Sequence, residues 1–488
     1  MSDLKLPTQQ LPRVICEKHP EWVNIFNTAW RMGFENIEHP TQPGWKPQLT
    51  CMPGSGRLWQ WDSCFMTLFA RFSNGLLPGM NNLDNLYRLQ RDDGFMAMAY
   101  EMATGLPAFG ERINPPLFAW AEWEYFRLTG DDSRFEKVLP RLVRYFDWLK
   151  TNRTRVSGLY WFEDSGSSGM DNSPRSGYLS ETLRGSDVCF IDLACQQALS
   201  ARCLESMARH LGQTKLADRF AEEHTALKKL INDYHWSEKV GFYFDLFGRE
   251  RPESRHNFLN HKTLASFWPL ISEVADEEQT CRLIEHLVNP EEFWTPHPLP
   301  TLAKDDPNYN PLGGYWLGGV WAPTNYMVAA GLKKQHKHDL AREIAVRHLN
   351  AMVEVMRSET YESIWECYSP ERPRPATNGY GKLVRPAFVG WTGLGPIAML
   401  IEHIFGMDFD AGENRITWVI GTPGVHGVEN LAFNGGTVSL VCRGRDPATG
   451  KRQILAETAK CLTMIVSVLG QYLEKPITLT PGKHEFAV

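Results

Sequence analysis

None of the ten cysteines in this 488-residue chain stands in a Cys-x-x-Cys pair, so the sequence offers neither a zinc signature nor a redox motif. Disulfide frameworks belong to short secreted chains, and ten Cys spread over this length do not make one. Cys189, Cys195 and Cys203 fall in apolar helical pattern, where a reduced thiol packs as a small hydrophobe. No stretch approaches the roughly 18 apolar residues of a membrane span, and the opening residues through Pro7 have no apolar signal core. The cytoplasm is the expected location, with no membrane partner. Positive charge is scarce too: 51 Lys and Arg against 57 Asp and Glu leave a net charge of −6. Nucleic acid is therefore not an expected partner. The longest basic run, Lys333-Lys-Gln-His-Lys-His338, reads as a solvated helix junction. The fifteen His show no ligand spacing, and Gly54-Ser-Gly56 is too short to cradle a phosphate. Neither a metal nor another cofactor is expected, and nothing in the sequence sets the oligomeric state.

What the chain has in abundance is aromatic rings: 17 Trp, 15 Tyr and 25 Phe. Trp59, Trp61, Trp161, Trp316, Trp321, Trp365 and Trp391 lie in loop-like surroundings rich in Gly and Pro. Sugars present flat C–H faces that stack on such rings, while polar groups take the hydroxyls. The competing reading, that large rings fill a wide core, stays open for each Trp taken singly.

Apolar residues at three-to-four spacing predict helices near 20–33, 62–74, 80–91, 114–129, 132–151, 186–211, 213–236, 261–273, 276–288, 322–334, 336–357 and 391–406. The clearest stripe is Phe135, Val138, Leu139, Leu142, Val143, Phe146 and Leu149. Long connections at 34–61, 94–113, 152–185, 237–260, 289–321 and 358–390 follow alternate helices and carry most of the Gly, Pro and Trp. Twelve helices in hairpin pairs predict a mainly α fold, an (α/α)6 toroid of six helical hairpins with its long loops gathered at one end. After Phe409 the texture becomes strand-like, at 415–420, 437–442, 461–466 and 484–488, with a turn at Asn434-Gly-Gly436. The expected division is a catalytic barrel over 1–408 and a small β-sandwich over 409–488.

Two stretches carry the chemistry: Ser168-Gly-Met-Asp-Asn-Ser-Pro-Arg175 and Trp365-Glu-Cys-Tyr-Ser-Pro370. Each sets one carboxylate among aromatic, Gly and Pro residues outside any amphipathic helix. Glycosidic hydrolysis needs such a pair, one carboxyl to protonate the leaving oxygen and one to act on water or the anomeric carbon. Alone, the composition around Asp171 also suits a turn, since Asp caps backbone amides. Glu362 and Glu366 share parity in an alternating run, so either would face a pocket if the run is extended. Asp62 also fits the N-cap of the helix that follows it.

Five blocks in order resemble glycoside hydrolase family 63, whose clan includes the trehalases. They are Trp59-Gln-Trp-Asp-Ser-Cys-Phe65, Asn114-Pro-Pro-Leu-Phe-Ala-Trp120, Ser168 to Arg175, Gly314-Tyr-Trp-Leu-Gly-Gly-Val-Trp321, and Trp365 to Pro370 followed by Gly390-Trp-Thr-Gly-Leu394. In size the chain is similar to the bacterial glucosylglycerate and mannosylglycerate hydrolases of that family. The resemblance implies an (α/α)6 barrel and net inversion of an α-glycosidic bond, with Asp171 as general acid and Glu366 as general base. It implies that Asp62 grips sugar hydroxyls beside a stacking Trp61, and that Tyr315, Trp316 and Trp321 form an aromatic wall. Arg175 follows the acid as in the family, with orientation or substrate binding as its role. The expected sugar-binding set is thus Asp62, Trp59, Trp61, Asn114, Arg175, Tyr315, Trp316, Trp321 and Trp391, with Arg112 a weaker candidate. The chain departs from the family at Leu317-Gly318-Gly319, where Arg-Gly-Pro is usual, at Asn114, where Gln is common, and at Cys367, where Asn is common. The expected activity is exo-acting hydrolysis of a small α-linked glucoside or mannoside, with a small carbohydrate as partner. A clan-related invertase or trehalase activity and an inactive sugar-binding protein are the alternatives. A sugar epimerase would rely on His residues as acid and base, whereas these blocks centre on Asp and Glu.

Overall fold

The structure is a computed structural model describing residues 7–175, 185–248, 257–470 and 476–488. Parts of the long connections expected at 152–185 and 237–260 therefore lie outside the described residues. Among those described, the α-helices are α1 Pro20–Glu35, α2 Gln60–Ala70, α3 Gly79–Arg88, α4 Phe118–Thr129, α5 Phe135–Asn152, α6 Ile191–His210, α7 Thr214–Tyr234, α8 Trp268–Ile271, α9 Glu277–Leu287, α10 Ala322–Lys334 and α11 His338–Met356. A 3-10 turn, Trp391–Leu394, leads into a π-helix, Gly395–Ile404.

Local chemistry explains where these helices begin and end. α4 starts at Phe118 rather than at 114 because Pro115 and Pro116 lack N–H donors and hold the preceding residues out of the helical region. It stops at Gly130, which takes φ 71°. α9 opens with a capping box between Asp276 and Gln279. The helix expected over 261–273 is broken into a 3-10 turn, Leu264–Phe267, and the four-residue α8, with Pro269 in its first turn. α8 packs so closely on α10 that a Cβ on Gly331 would lie 2.8 Å from that of Leu270.

Burial separates two kinds of helix. All of α2 is buried and so is most of α6, whereas α7 buries only Ala217, Phe220, Leu227 and Ile231. A helix covered on every side lies inside even where it carries polar residues, such as Asp192, Gln196 and Gln197 of α6, and one that buries a single stripe lies outside. α2 touches α4, α4 touches α6, α6 touches α8, and α8 touches α10; the Trp391–Leu394 turn touches both α10 and α2. α3 packs on α2, α7 on α6, and α11 on α10 and the π-helix.

The C-terminal region is two sheets. One orders Arg13–Cys16, Val425–Phe433, Gly436–Arg445, Arg452–Thr458 and Gly482–Ala487; the other orders Met407–Asp410, Arg415–Ile420, Leu462–Val468 and Ile477–Leu479. They meet through ring contacts such as Trp418 on His426 and Phe409 on Phe433. Asn434 and Gly435 both take positive φ, the two-residue turn of a tight hairpin. The two sheets cross the division drawn at 408/409: Met407–Asp410 straddles it, and Arg13–Cys16 pairs antiparallel with Val425–Phe433, Arg13 opposite Glu429. Four residues of alternation, far from their partner in the chain, carry too little pattern to be read as part of that sheet.

Candidate active site

The starts of three inner segments gather at one end. Trp59 caps α2, Trp321 caps α10, and Trp391 opens the turn before the π-helix. Trp61, Trp316, Trp321 and Trp391 form one aromatic cluster, with Trp61 edge-on to Trp391 at 5.5 Å and Trp316 stacked on Trp321 at 4.1 Å. Gly169, in the loop before Asp171, takes φ +77°, and a Cβ there would lie 2.5 Å from the Trp61 indole. The acid-bearing loop therefore rests directly on the ring.

Three carboxylates converge beside this cluster. Asp62 lies in the first turn of α2 but makes no capping bond; its Oδ1 accepts from the Cys51 thiol at 3.0 Å. Burial, with the nearby Glu366 carboxylate adding to it, pushes its pKa up to about 7. Asp171 has an accessible side chain, yet protein surrounds its carboxyl. Desolvation first, then the like charges of Asp62, Glu366 and Asp164, push it up to about 7. Glu366 is 5% exposed and is also raised by burial. Three interactions pull Glu366 the other way: the Arg385 cation, the Arg385 N–H at 3.4 Å and the Tyr315 hydroxyl, which donates to Oε1 at 3.1 Å. Glu362, its partner in parity, is exposed, and its segment is not a regular strand.

The Asp171 loop is stapled in place. Asn172 donates to Gly314 O at 2.9 Å and accepts from Trp316 N at 2.9 Å, tying the loop to the segment that carries Tyr315. Asn114 donates to Ser167 O at 3.0 Å, and Arg112 pairs with Asp164 at 2.8 Å. Tyr315 itself holds φ +68°, an uncommon state for a bulky residue and one that clusters at functional sites. The Leu317-Gly318-Gly319 departure belongs to the same turn. Gly319 N donates to Tyr315 O at 3.0 Å, and a Cβ at Gly319 would lie 2.3 Å from that oxygen, so this backbone has no room for proline there.

Several expected binding residues have other work. Arg175 is not a free donor: it is 1% exposed and grips Asp192 at 2.7 Å and Asp245 at 2.6 Å, with Phe190 beneath its plane. Trp316 and Trp321 are 1% and 0% exposed, so their faces are spent on each other. They back the wall rather than line it. Asn114 is buried and anchors the Asp171 loop. Trp61 and Trp391 are also largely covered, while Trp59 and Tyr315 are half-buried and more available. Arg385 was not singled out from the sequence. It is exposed, makes no ion pair among the described residues, and lowers the pKa of both Asp62 and Glu366. An Arg 19 positions past the candidate base leaves no local pattern. Asn172, inside a recognised block, was the more legible omission. Among the described residues, no group of three His, Cys, Asp or Glu is placed to hold a metal ion, and no helix is long and apolar enough to cross a membrane.

The family described as mannosylglycerate hydrolase MGH1-like glycoside hydrolase domain matches residues 56–380, two thirds of the sequence. The chain belongs to this glycoside hydrolase family. An uncharacterised protein of Borreliella burgdorferi is 29% identical to this family 63 enzyme over 434 residues, 87% of each chain. A probable mannosyl-oligosaccharide glucosidase of Schizosaccharomyces pombe is 24% identical over 283 residues, 53% of this chain and 33% of the yeast protein. The match thus spans about a third of that larger relative. The family 63 mannosylglycerate hydrolase of Thermus thermophilus, solved in complex with glucose, superposes with a TM-score of 0.59 at 19% identity, covering 76% of this chain and 98% of that one. At that identity the likeness speaks for the fold. The structure is helix-rich with a C-terminal sheet region, and its fold is similar to that of the neutral trehalase of Saccharomyces cerevisiae, which superposes with a TM-score of 0.51 over 75% of this chain and 77% of that one.

Proposed function

We propose that this glycoside hydrolase is an exo-acting, inverting α-glycosidase for a small α-linked glucoside or mannoside, built on an (α/α)6 toroid. The sequential contacts α2, α4, α6, α8, α10 and back through Trp391–Leu394 to α2 support the closed ring. In this reading Asp171 protonates the glycosidic oxygen while Glu366 activates water on the opposite face of the sugar. The observation that carries it is the convergence of Asp171, Asp62 and Glu366, with Asp171 raised to about 7 so that it keeps a proton near neutral pH. Tyr315 and the Arg385 N–H favour the charged form of Glu366, as a base requires. Asp62, beside Trp61 and Trp59, takes hydroxyls of the terminal sugar. Inversion needs a water between the carboxyls, hence a separation of roughly 6.5–9.5 Å.

The exposed Arg385 favours an aglycone that carries a carboxylate, such as a glycerate, matching the mannosylglycerate named for the Thermus relative. All ten cysteines are free, which supports a reducing location such as the cytoplasm. The test is a proton NMR time course on glucosylglycerate, mannosylglycerate, trehalose, kojibiose, nigerose and sucrose. β-Anomer appearing first, from a glycerate-linked sugar, is the expected result, and Arg385→Gln should raise KM for that substrate about tenfold. α-Anomer appearing first would end the inverting assignment. Hydrolysis of sucrose or trehalose alone would favour the invertase or trehalase reading. Binding without turnover, unaffected by Glu366→Gln, would favour a sugar-binding protein.

A further inference from the structure

A cavity of about 1120 Å3 lies away from the three carboxylates. Trp321 caps the start of α10, whereas Lys333, in its last turn, lines this cavity. Twelve residues at helical rise separate the two by about 18 Å. The cavity sits at the C-terminal ends of α4, α10 and the π-helix, against the strands Arg415–Ile420 and Leu462–Val468.

Its chemistry is mixed in a particular way. Trp120, Trp123 and Tyr326 contribute aromatic wall. Most charges around it are paired: Asp408 with Lys333 at 2.7 Å and Arg127 at 2.9 Å, Glu124 with Arg71 at 2.8 Å, and Lys334 with Glu273 at 3.3 Å, while Lys337 and Asp339, of opposite sign, form no ion pair among the described residues. Matched charges offer donors and acceptors without selecting an anion or a cation. His403 also lines the cavity, is 6% exposed, and has no hydrogen-bond partner for either ring nitrogen. Burial, then the nearby Lys333, holds its pKa well below the usual imidazole value. The ring is therefore neutral, with one N–H and one lone pair. A hydroxyl group is the complement of both. Buried polar groups are normally paired, so an imidazole with two orphan nitrogens beside a cavity calls for a partner.

We propose that this cavity is a second, non-catalytic binding site for a neutral polyhydroxyl ligand, a mono- or disaccharide. The sugar's C–H face lies on the Trp123 side, and its hydroxyls meet His403 and the Lys333–Asp408 pair. The inference goes beyond the hydrolytic site and does not depend on which glycoside that site cleaves.

Cys281 lines the cavity and is exposed, as is Cys461 in the sheet region. In a Cys461→Ser background, the rate of Cys281 alkylation by a maleimide, followed by intact mass, reports occupancy. Saturating D-glucose or D-mannose is expected to slow alkylation at least threefold, and sodium phosphate at equal concentration is expected not to. The protection should persist in Asp62→Asn, which addresses the hydrolytic site, and vanish in His403→Phe, which keeps the volume but removes both nitrogens. Should His403→Phe fail to fold, Trp123→Ala, at a half-buried wall position, should abolish the same protection. Absence of protection by both sugars, equal protection by phosphate, or protection lost in Asp62→Asn but kept in His403→Phe would each overturn the proposal.

Discussion

Carboxylates with strongly shifted pKa values sit at both ends of the inner helices, and the two groups behave oppositely. At the N-terminal ends, Asp62, Asp171 and Glu366 make no ion pair among the described residues, and burial raises all three. At the C-terminal ends, Glu124 is held down to about 2 and Asp408 lower still, against burial, by Arg71, Arg127 and Lys333. Glu402 is the exception there: burial outweighs its pairing with Arg71 at 2.6 Å and its bond from Tyr326 at 2.8 Å, and it too is raised. The difference lies in the neighbours rather than the residue type. A carboxyl kept out of direct ion pairing can hold and release a proton near neutral pH, as burial outweighs the more distant Arg385, while close pairing as at Glu124 and Asp408 makes a structural strut.

The largest effect should come from removing the unpaired carboxyls. Asp171→Asn and Glu366→Gln should each lower turnover by roughly 10²–10⁴-fold with folding intact, as initial rates and circular dichroism would show. Loss of fold instead would mean these groups are struts like those at the other end.

Next in size is the converse change. Arg71→Met removes the one ion-pair partner recorded for Glu402 among the described residues and one of two for Glu124, which keeps Arg127, and should cost about 3 kcal/mol in urea unfolding, because Arg71 contacts both at 2.8 and 2.6 Å. Rates measured on the folded fraction should change little.

Tyr315→Phe should come third. Deleting the donor to Glu366 removes an interaction that favours its charged form, so the acidic limb of the rate profile should move to higher pH with a loss of about 3–10-fold at neutrality.

The smallest effect concerns stability against pH. Asp171 is raised when folded, so between the unfolded carboxyl value and about 7 the folded chain holds more protons, and stability falls as pH rises through that window. Asp171→Asn should remove this slope, gaining about 1 kcal/mol at pH 8 and nothing near pH 4, after allowance for the accessibility of the group. Glu124 and Asp408, lowered when folded, slope the other way and lose their contribution as pH falls. Denaturant midpoints at both pH values would separate the two ends.

Much of this was legible in sequence because period and composition carry it. The α5 stripe, the Arg415–Ile420 alternation and the Asn434-Gly435 turn are local patterns, and local patterns survive folding. The blocks around Asp171 and Glu366 were legible for a different reason: irregular loops that present a carboxylate among rings need Gly and Pro, and these mark them. The aromatic residues were legible only as a group. Whether a Trp presents its face or spends it on a neighbour depends on packing, and Trp316 and Trp321 spent theirs on each other.

The sequence by itself determined the helical and strand periods, the clustering of loop residues after alternate helices, and which carboxylates stand in reactive surroundings. Tertiary structure alone decided which carboxylates are left out of close ion pairs and which are clamped. It turned Arg175 from a candidate ligand donor into a brace for Asp192 and Asp245, brought Arg385 beside Glu366, and joined Arg13–Cys16 to strands more than 400 residues away. Charge pairing acts through space over a few ångströms, and no spacing along the chain encodes those distances.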